Sequence, residues 1–569
     1  MARIFDEHIV RKVRDLNGAW RFLRDENAEG EEKGYFNGLP EGSTVAVPSV
    51  WNNESGMLKY EGVCWYEKKF YTNGGCLRFV FGAVMTEATV WLDGEEIARH
   101  YGGFTQFDSI VNDVTEGYHT LTVRVDNRFD LQSIPQKMVD WYHYGGITRG
   151  VSVETLCGIC VLSHRMEYEL SADLTSVQGH FVLECYNADS CKRTSALTAC
   201  IGELCVNSES ITLAAGETKA VALPSFTLDN VELWNVGAPR LYDAVINTET
   251  DDLRDRVGFR KVEVSDGKVL LNGKEVEFLG VNRHEDHPDF GMAFPFARMG
   301  HDIDLAKGMC CNSIRGSHYP NSKEMLDLLD EQGIMFWSEI PIWGCGFAPE
   351  VLGDPVVVER GLAMHREMVK QYYNHPCILL WGMHNEIRTE TQEGYEMSRC
   401  YYNYLKENGG NRLVVYACNH PSNDICFEFT DVICLNVYQG WYSGKISSWD
   451  KFLGDFCARR ESLGMEAKPI IFSEFGAAAL YGFHDLEHVK WSEEYQAELL
   501  EYCLKLFHSH PAVIGTFIWQ FSDIRTSDEA GLNRARSFNN KGLLNEDRRP
   551  KLAYYTVKEL YGKFAAEEK

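Results

Sequence analysis

The chain predicts a multidomain β plus α/β protein: an N-terminal jelly-roll β-sandwich, an immunoglobulin-like β-sandwich and a C-terminal (β/α)8 TIM barrel. Three observations carry this expectation. A length of 569 residues exceeds what one hydrophobic core serves. Up to Gly258 the sequence reads as short strands broken by turns, with no helical period. After Gly258-Phe259-Arg260, short apolar runs alternate with long amphipathic stretches, the pattern of parallel βα units.

Residues 1–157 carry β-rich segments such as Leu77–Phe81, Ala88–Leu92 and Leu121–Val125, with Asp93-Gly94 as a hairpin signal. Their spacing predicts a jelly roll. Residues 158–258 continue with Gly179–Leu183 and Ala220–Leu223, and their length suits an immunoglobulin-like sandwich. Residues 259–569 contain eight apolar runs. They end at Gly280-Val281-Asn282, Ser313-Ile314-Arg315, Phe336–Glu339, Leu380-Trp381-Gly382, Val415-Tyr416-Ala417, Cys434-Leu435-Asn436, Ile471-Phe472-Ser473 and Phe517-Ile518-Trp519. Eight βα units close a barrel whose active site lies at the C-terminal strand ends.

A formal net charge of −27 excludes non-specific binding to nucleic acid or anionic membrane. The N-terminus has no apolar signal-like region and no window is long enough to span a bilayer, so a cytoplasmic protein is expected. Eighteen cysteines then read as reduced thiols. Cys157-Gly158-Ile159-Cys160 lacks a second ligand pair, and Cys310-Cys311 reads as core filling in a barrel strand. No metal or cofactor is expected.

The strand ends gather His284-Glu285-Asp286, His318-Tyr319, Glu339, Asn385-Glu386, Asn436, Tyr438, Glu474 and Trp519. A polar ring with aromatic walls suits a carbohydrate pocket. Glycoside cleavage needs one carboxyl to protonate the leaving oxygen and a second to attack or stabilise the anomeric carbon. Glu386 is assigned as acid/base and Glu474 as nucleophile. Either alone would read as a strand-end ion pair; two at the ends of one barrel, one preceded by Asn385, reverse that preference. Asn385 suits the sugar 2-hydroxyl. Glu339 reads equally as a partner of the site or a structural ion pair. Asn539-Asn540-Lys541-Gly542 alone reads as a solvated turn, although a lysine beside a sugar pocket suits a substrate carboxylate.

These residues resemble glycoside hydrolase family 2, and within it the β-glucuronidase branch. The resemblance spans the chain: Gly62–Tyr66 and His100–Phe107 in the first domain, Trp234, Pro239–Tyr242 and Gly258–Arg260 at the end of the second. In the barrel it covers Gly280–Asp286, Ser317–Pro320, Asn385-Glu386 and Lys468–Ala477. It implies retaining exo-hydrolysis of terminal β-D-glucuronides through a covalent glycosyl-enzyme. It implies that Asn539 and Lys541 read the uronate carboxylate, that Asn436, Tyr438, Tyr442, Trp519 and His284 line the pocket, and that Asp140 reaches the sugar from the first domain. Arg536 is taken as the arginine of the segment before Asn539, with Arg534 the other candidate. The branch also implies a homo-oligomer. His384 stands where the family carries a small residue, and Arg534–Phe538 departs from the usual arginine register. A β-galacturonidase, a β-galactosidase and a non-catalytic carbohydrate-binding protein therefore stay open. The short stretch from Glu339 to Glu386 implies an open aglycone side.

Overall fold

The computed structural model describes residues 3–344, 347–527 and 534–567. The N-terminal sandwich packs a four-stranded sheet against a six-stranded one. The long strands Val63–Thr72 and Gly117–Asp126 pair antiparallel in the larger sheet. Asp93 and Gly94 both take positive φ, 51° and 90°, between paired Leu92 and Glu95. That is the hairpin geometry an Asp-Gly pair favours.

The second sandwich is built on Ile159–Leu170, Ser176–Asn187 and Tyr242–Asn247. Cys200 and Cys205 face each other in its hairpin, 4.0 Å apart at Cα, and are disulfide-bonded. This corrects the expectation of reduced thiols throughout; directly opposed hairpin positions bring two cysteines within bonding reach.

The barrel closes through eight parallel strands: β1 (Phe278–Arg283), β2 (Ser313–Gly316), β3 (Met335–Glu339), β4 (Ile378–Asn385), β5 (Leu413–Cys418), β6 (Ile433–Asn436), β7 (Ile470–Glu474) and β8 (Val513–Ile518). All eight expected runs are barrel strands. Every residue of β2 to β7 is buried, which is why they read as continuous apolar runs rather than alternating ones. Cys310-Cys311 lies before β2 rather than in it. Cys311 packs in the core, while Cys310 is exposed at φ 61°, in the turn after a helix.

Two attachments leave only the C-terminal face of the barrel for chemistry. At the other end, three short strands over Val262–Ser265, Lys268–Leu271 and Lys274–Glu275, not anticipated from the alternating pattern, pack Val262, Val269 and Leu271 into the barrel core. Arg260 donates there to the carbonyls of Pro376 (2.9 Å), Ile378 (2.7 Å) and Asn411 (2.6 Å). At the C-terminal face, the jelly roll reaches over the rim. Tyr144 Oη donates to Asp286 Oδ1 (2.7 Å), Arg149 Nη2 to Glu285 Oε2 (3.0 Å), and Phe104 stacks on Tyr319 at 4.3 Å. These contacts bring Asp140 and Trp141 to the barrel mouth. Among the described residues no helix is long and apolar enough to cross a membrane.

Candidate active site

Glu386 follows directly on β4 and Glu474 ends β7. Glu386 holds φ 52°, a left-handed backbone that is uncommon outside glycine, with its N–H on the Ala417 carbonyl at 2.9 Å. The Glu474 carboxylate accepts from Arg315 Nη1 (2.9 Å) and Tyr438 Oη (2.8 Å). Burial and the neighbouring Glu386 charge push the Glu474 pKa up to about 8, against the opposing pull of Arg315. The Glu386 charge thus opposes ionisation of Glu474, while Arg315 and Tyr438 favour its anion.

Arg315, at the third position of β2 and fully buried, organises the pair. Its Nε and Nη2 engage Glu339 at 3.1 and 2.8 Å, and Nη2 also donates to Asn385 Oδ1 at 2.7 Å. Asn436 Nδ2 then donates to Asn385 Oδ1 (3.1 Å) and Glu386 Oε1 (2.8 Å). An unbroken chain of hydrogen bonds thus runs Glu474–Arg315–Asn385–Asn436–Glu386. Glu339 is the counter-ion that keeps Arg315 in place, so its two possible readings merge. Asn385 Nδ2 is buried without a hydrogen-bond partner.

An aromatic wall closes one side. His318 stacks on Trp519 at 5.1 Å, and His284 meets the Trp519 ring edge-on at 5.5 Å. Trp141 lies within 6 Å of both histidine rings, at 5.8 and 5.4 Å. Burial holds both imidazoles well below their ordinary pKa, so both are neutral. His284 Nε2 has no partner. His384 points elsewhere: it hydrogen-bonds Ser398 at 2.9 Å, and burial lowers its pKa to about 3.

A second cluster assembles from three segments. Lys541 is only 1% exposed; its ammonium donates to Tyr442 Oη at 2.8 Å and lies 5.0, 5.7 and 6.0 Å from the rings of Tyr442, Tyr438 and Trp441. Burial lowers its pKa. Asp140 accepts from Asn539 Nδ2 (2.8 Å) and from Arg534 through Nε (3.1 Å) and Nη2. Arg534 Nη2 also reaches Tyr442 Oη (3.1 Å). The Asn539–Gly542 turn is fixed from behind by Asp523, which accepts from Asn540 Nδ2 (3.2 Å), the Gly542 N–H (2.9 Å) and Lys551 Nζ (2.8 Å). A Cβ on Gly542 would meet the Asp523 nitrogen at 2.2 Å, so only glycine fits there.

Arg536, expected in the pocket, does not join this cluster. Its backbone is left-handed (φ 60°) and its side chain, 55% exposed, pairs with Glu546 at 2.9 Å. Arg534 occupies the place expected of it. The other expected residues, Asp140, His284, Asn385, Glu386, Asn436, Tyr438, Tyr442, Glu474, Trp519, Asn539 and Lys541, meet at the barrel mouth in these two clusters. Sequence reasoning held Arg534 as the second candidate beside Arg536 and passed over Arg315 and Trp141 as site residues. Arg315 alone carried a readable signal, a cation inside an apolar run.

Comparison with known proteins agrees with this architecture. The sequence models "Glycosyl hydrolases family 2, sugar binding domain", "Glycosyl hydrolases family 2" and "Glycosyl hydrolases family 2, TIM barrel domain" match residues 13–157, 168–260 and 262–566. A β-glucuronidase from Paenibacillus borealis is 26% identical, with 97% of each chain covered. A GH2 β-galacturonidase from Eisenbergiella tayi bound to galacturonate superposes with a TM-score of 0.92 at 33% identity, covering 99% of both chains. The β-glucuronidase of Ruminococcus gnavus superposes at 0.87 and 26% identity, again covering 99% of both.

Proposed function

The chain belongs to glycosyl hydrolase family 2, and on that premise we propose that it removes terminal β-D-uronic acid residues from glycosides with retention of anomeric configuration. The observation that carries the uronide reading is Lys541. A buried ammonium is costly unless an anion joins it. Among the described residues its hydrogen bond goes to a tyrosine, and the nearby Asp140 is taken by Arg534 and Asn539. A substrate carboxylate on Lys541 would supply the missing charge.

In this reading Glu474 attacks the anomeric carbon while Glu386 protonates the leaving oxygen, and Glu386 then activates water to hydrolyse the glycosyl-enzyme. Arg315 and Tyr438 donate to Glu474 and favour its anion. Asn385 Nδ2 and His284 Nε2, buried and unpartnered, are matched to sugar hydroxyls. Trp519 and Trp141 give the sugar an apolar face.

Two observations favour a galacturonide over the glucuronide that the sequence resemblance implied. The Eisenbergiella β-galacturonidase is more similar in sequence and structure than the Ruminococcus β-glucuronidase. The segment before Asn539 departs from the β-glucuronidase register and puts Arg534 on Asp140 and Tyr442. The deciding assay offers p-nitrophenyl β-galacturonide, β-glucuronide and β-galactoside in parallel, with the first product anomer read by NMR. The expected result is uronide turnover, galacturonide first, releasing the β-anomer. Turnover of the galactoside alone, or release of the α-anomer, overturns the proposal.

A further inference from the structure

Two fully buried side chains, Lys551 and Gln496, tie the loop that leaves Glu474 to the turn that carries Lys541. Lys551 immediately precedes the helix Leu552–Ala566. Its ammonium has three N–H groups, and they reach three segments: the Ala479 carbonyl (2.8 Å) on the loop after Glu474, the Asp523 carboxylate (2.8 Å) after β8, and the Asn540 carbonyl (3.1 Å) beside Lys541. The Asn540 carbonyl also accepts from the Ala479 N–H at 2.9 Å. Gln496, in the helix Glu493–Ser509, repeats the bridge. Its Nε2 donates to the carbonyls of Ala477 (2.9 Å), Lys541 (3.2 Å) and Gly542 (3.1 Å).

Neither side chain is explained by stability alone. Lysine is almost never fully buried unless paired. A buried ion pair such as Lys551–Asp523 gives little stability that packed apolar groups of the same volume do not. Gln496 carries a penalty of its own, because its Oε1 is buried without a hydrogen-bond partner. What hydrogen bonds add to packing is a fixed distance and direction. Two residues of the candidate site need that. Lys541 is assigned the sugar's carboxylate and Glu474 its anomeric carbon, so the two must hold one ring at both ends. A misplacement of about 1 Å at the reacting centre costs roughly 100-fold in rate.

We propose that Lys551 and Gln496 are positioning residues. They set the separation between the Asn539–Gly542 turn and the loop after Glu474, so that a uronide gripped by its carboxylate presents its anomeric carbon to the attacking group. The proposal rests on the uronide reading of Lys541 given above. Neither residue is among the groups assigned to the sugar. Loosening them leaves the carboxylate grip in place and lets the ring drift from the attacking oxygen, so turnover suffers more than binding. A neutral galactoside, which the turn does not grip, is indifferent to the separation.

Two variants test this without stranding a buried charge. Gln496→Met removes the amide. Lys551→Met combined with Asp523→Asn removes both charges of the ion pair and keeps an oxygen for the Gly542 N–H. In each, kcat for the preferred p-nitrophenyl β-uronide should fall at least about tenfold with KM within about threefold, and kcat/KM for the β-galactoside should stay within about threefold. Amide hydrogen exchange, followed by mass spectrometry, should quicken at residues 476–482 and 539–543 together, with β2 and β3 still protected. Wild-type uronide kcat in both variants, an equal loss on uronide and galactoside, or unchanged exchange in either segment overturns the proposal. A Lys541→Met protein with the wild-type ratio of uronide to galactoside turnover removes the uronide reading instead, and the exchange result then decides the tie by itself.

Discussion

Replacing Lys541 with methionine should separate substrate recognition from stability, because the structure assigns the two opposite signs at this residue. Methionine keeps the apolar stem and removes the ammonium. The lost interaction with a substrate carboxylate is a charge-assisted hydrogen bond of about 1.5–3 kcal/mol. At about 1.4 kcal/mol per tenfold change, kcat/KM for a uronide falls roughly 10- to 150-fold. A neutral galactoside has no carboxylate at that position and should change by less than about threefold, which is under 1 kcal/mol. Stability moves the other way. Burial lowers the Lys541 pKa in the folded state below its ordinary 10.5. The ammonium therefore destabilises the fold at every pH below the folded pKa, and this deficit fades as pH rises through 10.5. Tyr442, 59% exposed, can exchange its lost partner for water. The variant should accordingly melt no lower than wild type at pH 7, with any gain shrinking toward pH 10.5. Steady-state kinetics on the paired substrates and calorimetric melting curves at both pH values test this. An equal loss on uronide and galactoside, or a melting temperature several degrees below wild type, would refute the reasoning.

Four further outcomes follow from the same geometry. Arg534→Gln should lower uronide kcat/KM by about tenfold or more, because Arg534 holds Asp140 and Tyr442 in place, whereas Arg536→Gln, removing a surface pair with Glu546, should stay within about twofold; the reverse ranking would show that the pocket uses Arg536. Glu474→Gln should lower kcat on the order of 10⁴-fold or more, yet raise stability: its folded pKa of about 8 lies above the ordinary 4.5, so the wild-type deficit is absent below pH 4.5, grows with pH, and is complete above pH 8, reaching up to about 5 kcal/mol; unfolding curves at pH 5 and 8 measure it. kcat/KM should rise with pH up to about 8, as Glu474 loses its proton and becomes the anion that attacks; activity already maximal at pH 5 contradicts the raised pKa. Arg315→Met should cost about 3–5 kcal/mol in chemical denaturation, since it strands two buried carboxylates, and a variant of wild-type stability would mean that Arg315 does not hold them.

Much of this was readable from the chain because the strands of a parallel barrel are buried on both faces. Eight apolar runs therefore marked eight strands, and a charge at the end of such a run marked a position where something makes use of it. The same logic applied to Arg315, which ends Ser313-Ile314-Arg315, yet a lone cation in a strand does not announce which carboxylates it serves. Glu339 and Glu474 lie 24 and 159 residues away. Arg534 and Arg536 were indistinguishable in sequence because both flank an irregular turn. The left-handed backbone at Arg536 and Ser537 and the position of Asp140, contributed by the jelly roll, decide between them. The disulfide between Cys200 and Cys205 depended likewise on a hairpin register that the cysteine spacing alone does not specify.

The two clusters of the site have different origins, and this bears on how sugar choice can vary without loss of chemistry. Glu386, Glu474 and their hydrogen-bonded chain rest on β2, β3, β4, β6 and β7, whose strands the closed barrel holds rigidly. The Lys541 cluster comes from the jelly roll through Asp140, from the loop after β6 through Tyr442, and from the segment after β8 through Arg534, Asn539 and Lys541. Such segments can change composition while the barrel stays closed. Tyr438 is the direct link: its hydroxyl donates to Glu474 at 2.8 Å while its ring lies 5.7 Å from the Lys541 ammonium. An anion placed on Lys541 would reach Glu474, the proposed nucleophile, electrostatically across that ring. Its negative charge would raise the Glu474 pKa further unless Lys541 neutralises it. Arg534 is itself paired with Asp140, so the Lys541 ammonium is the charge that would offset a substrate uronate and spare the proposed nucleophile from protonation.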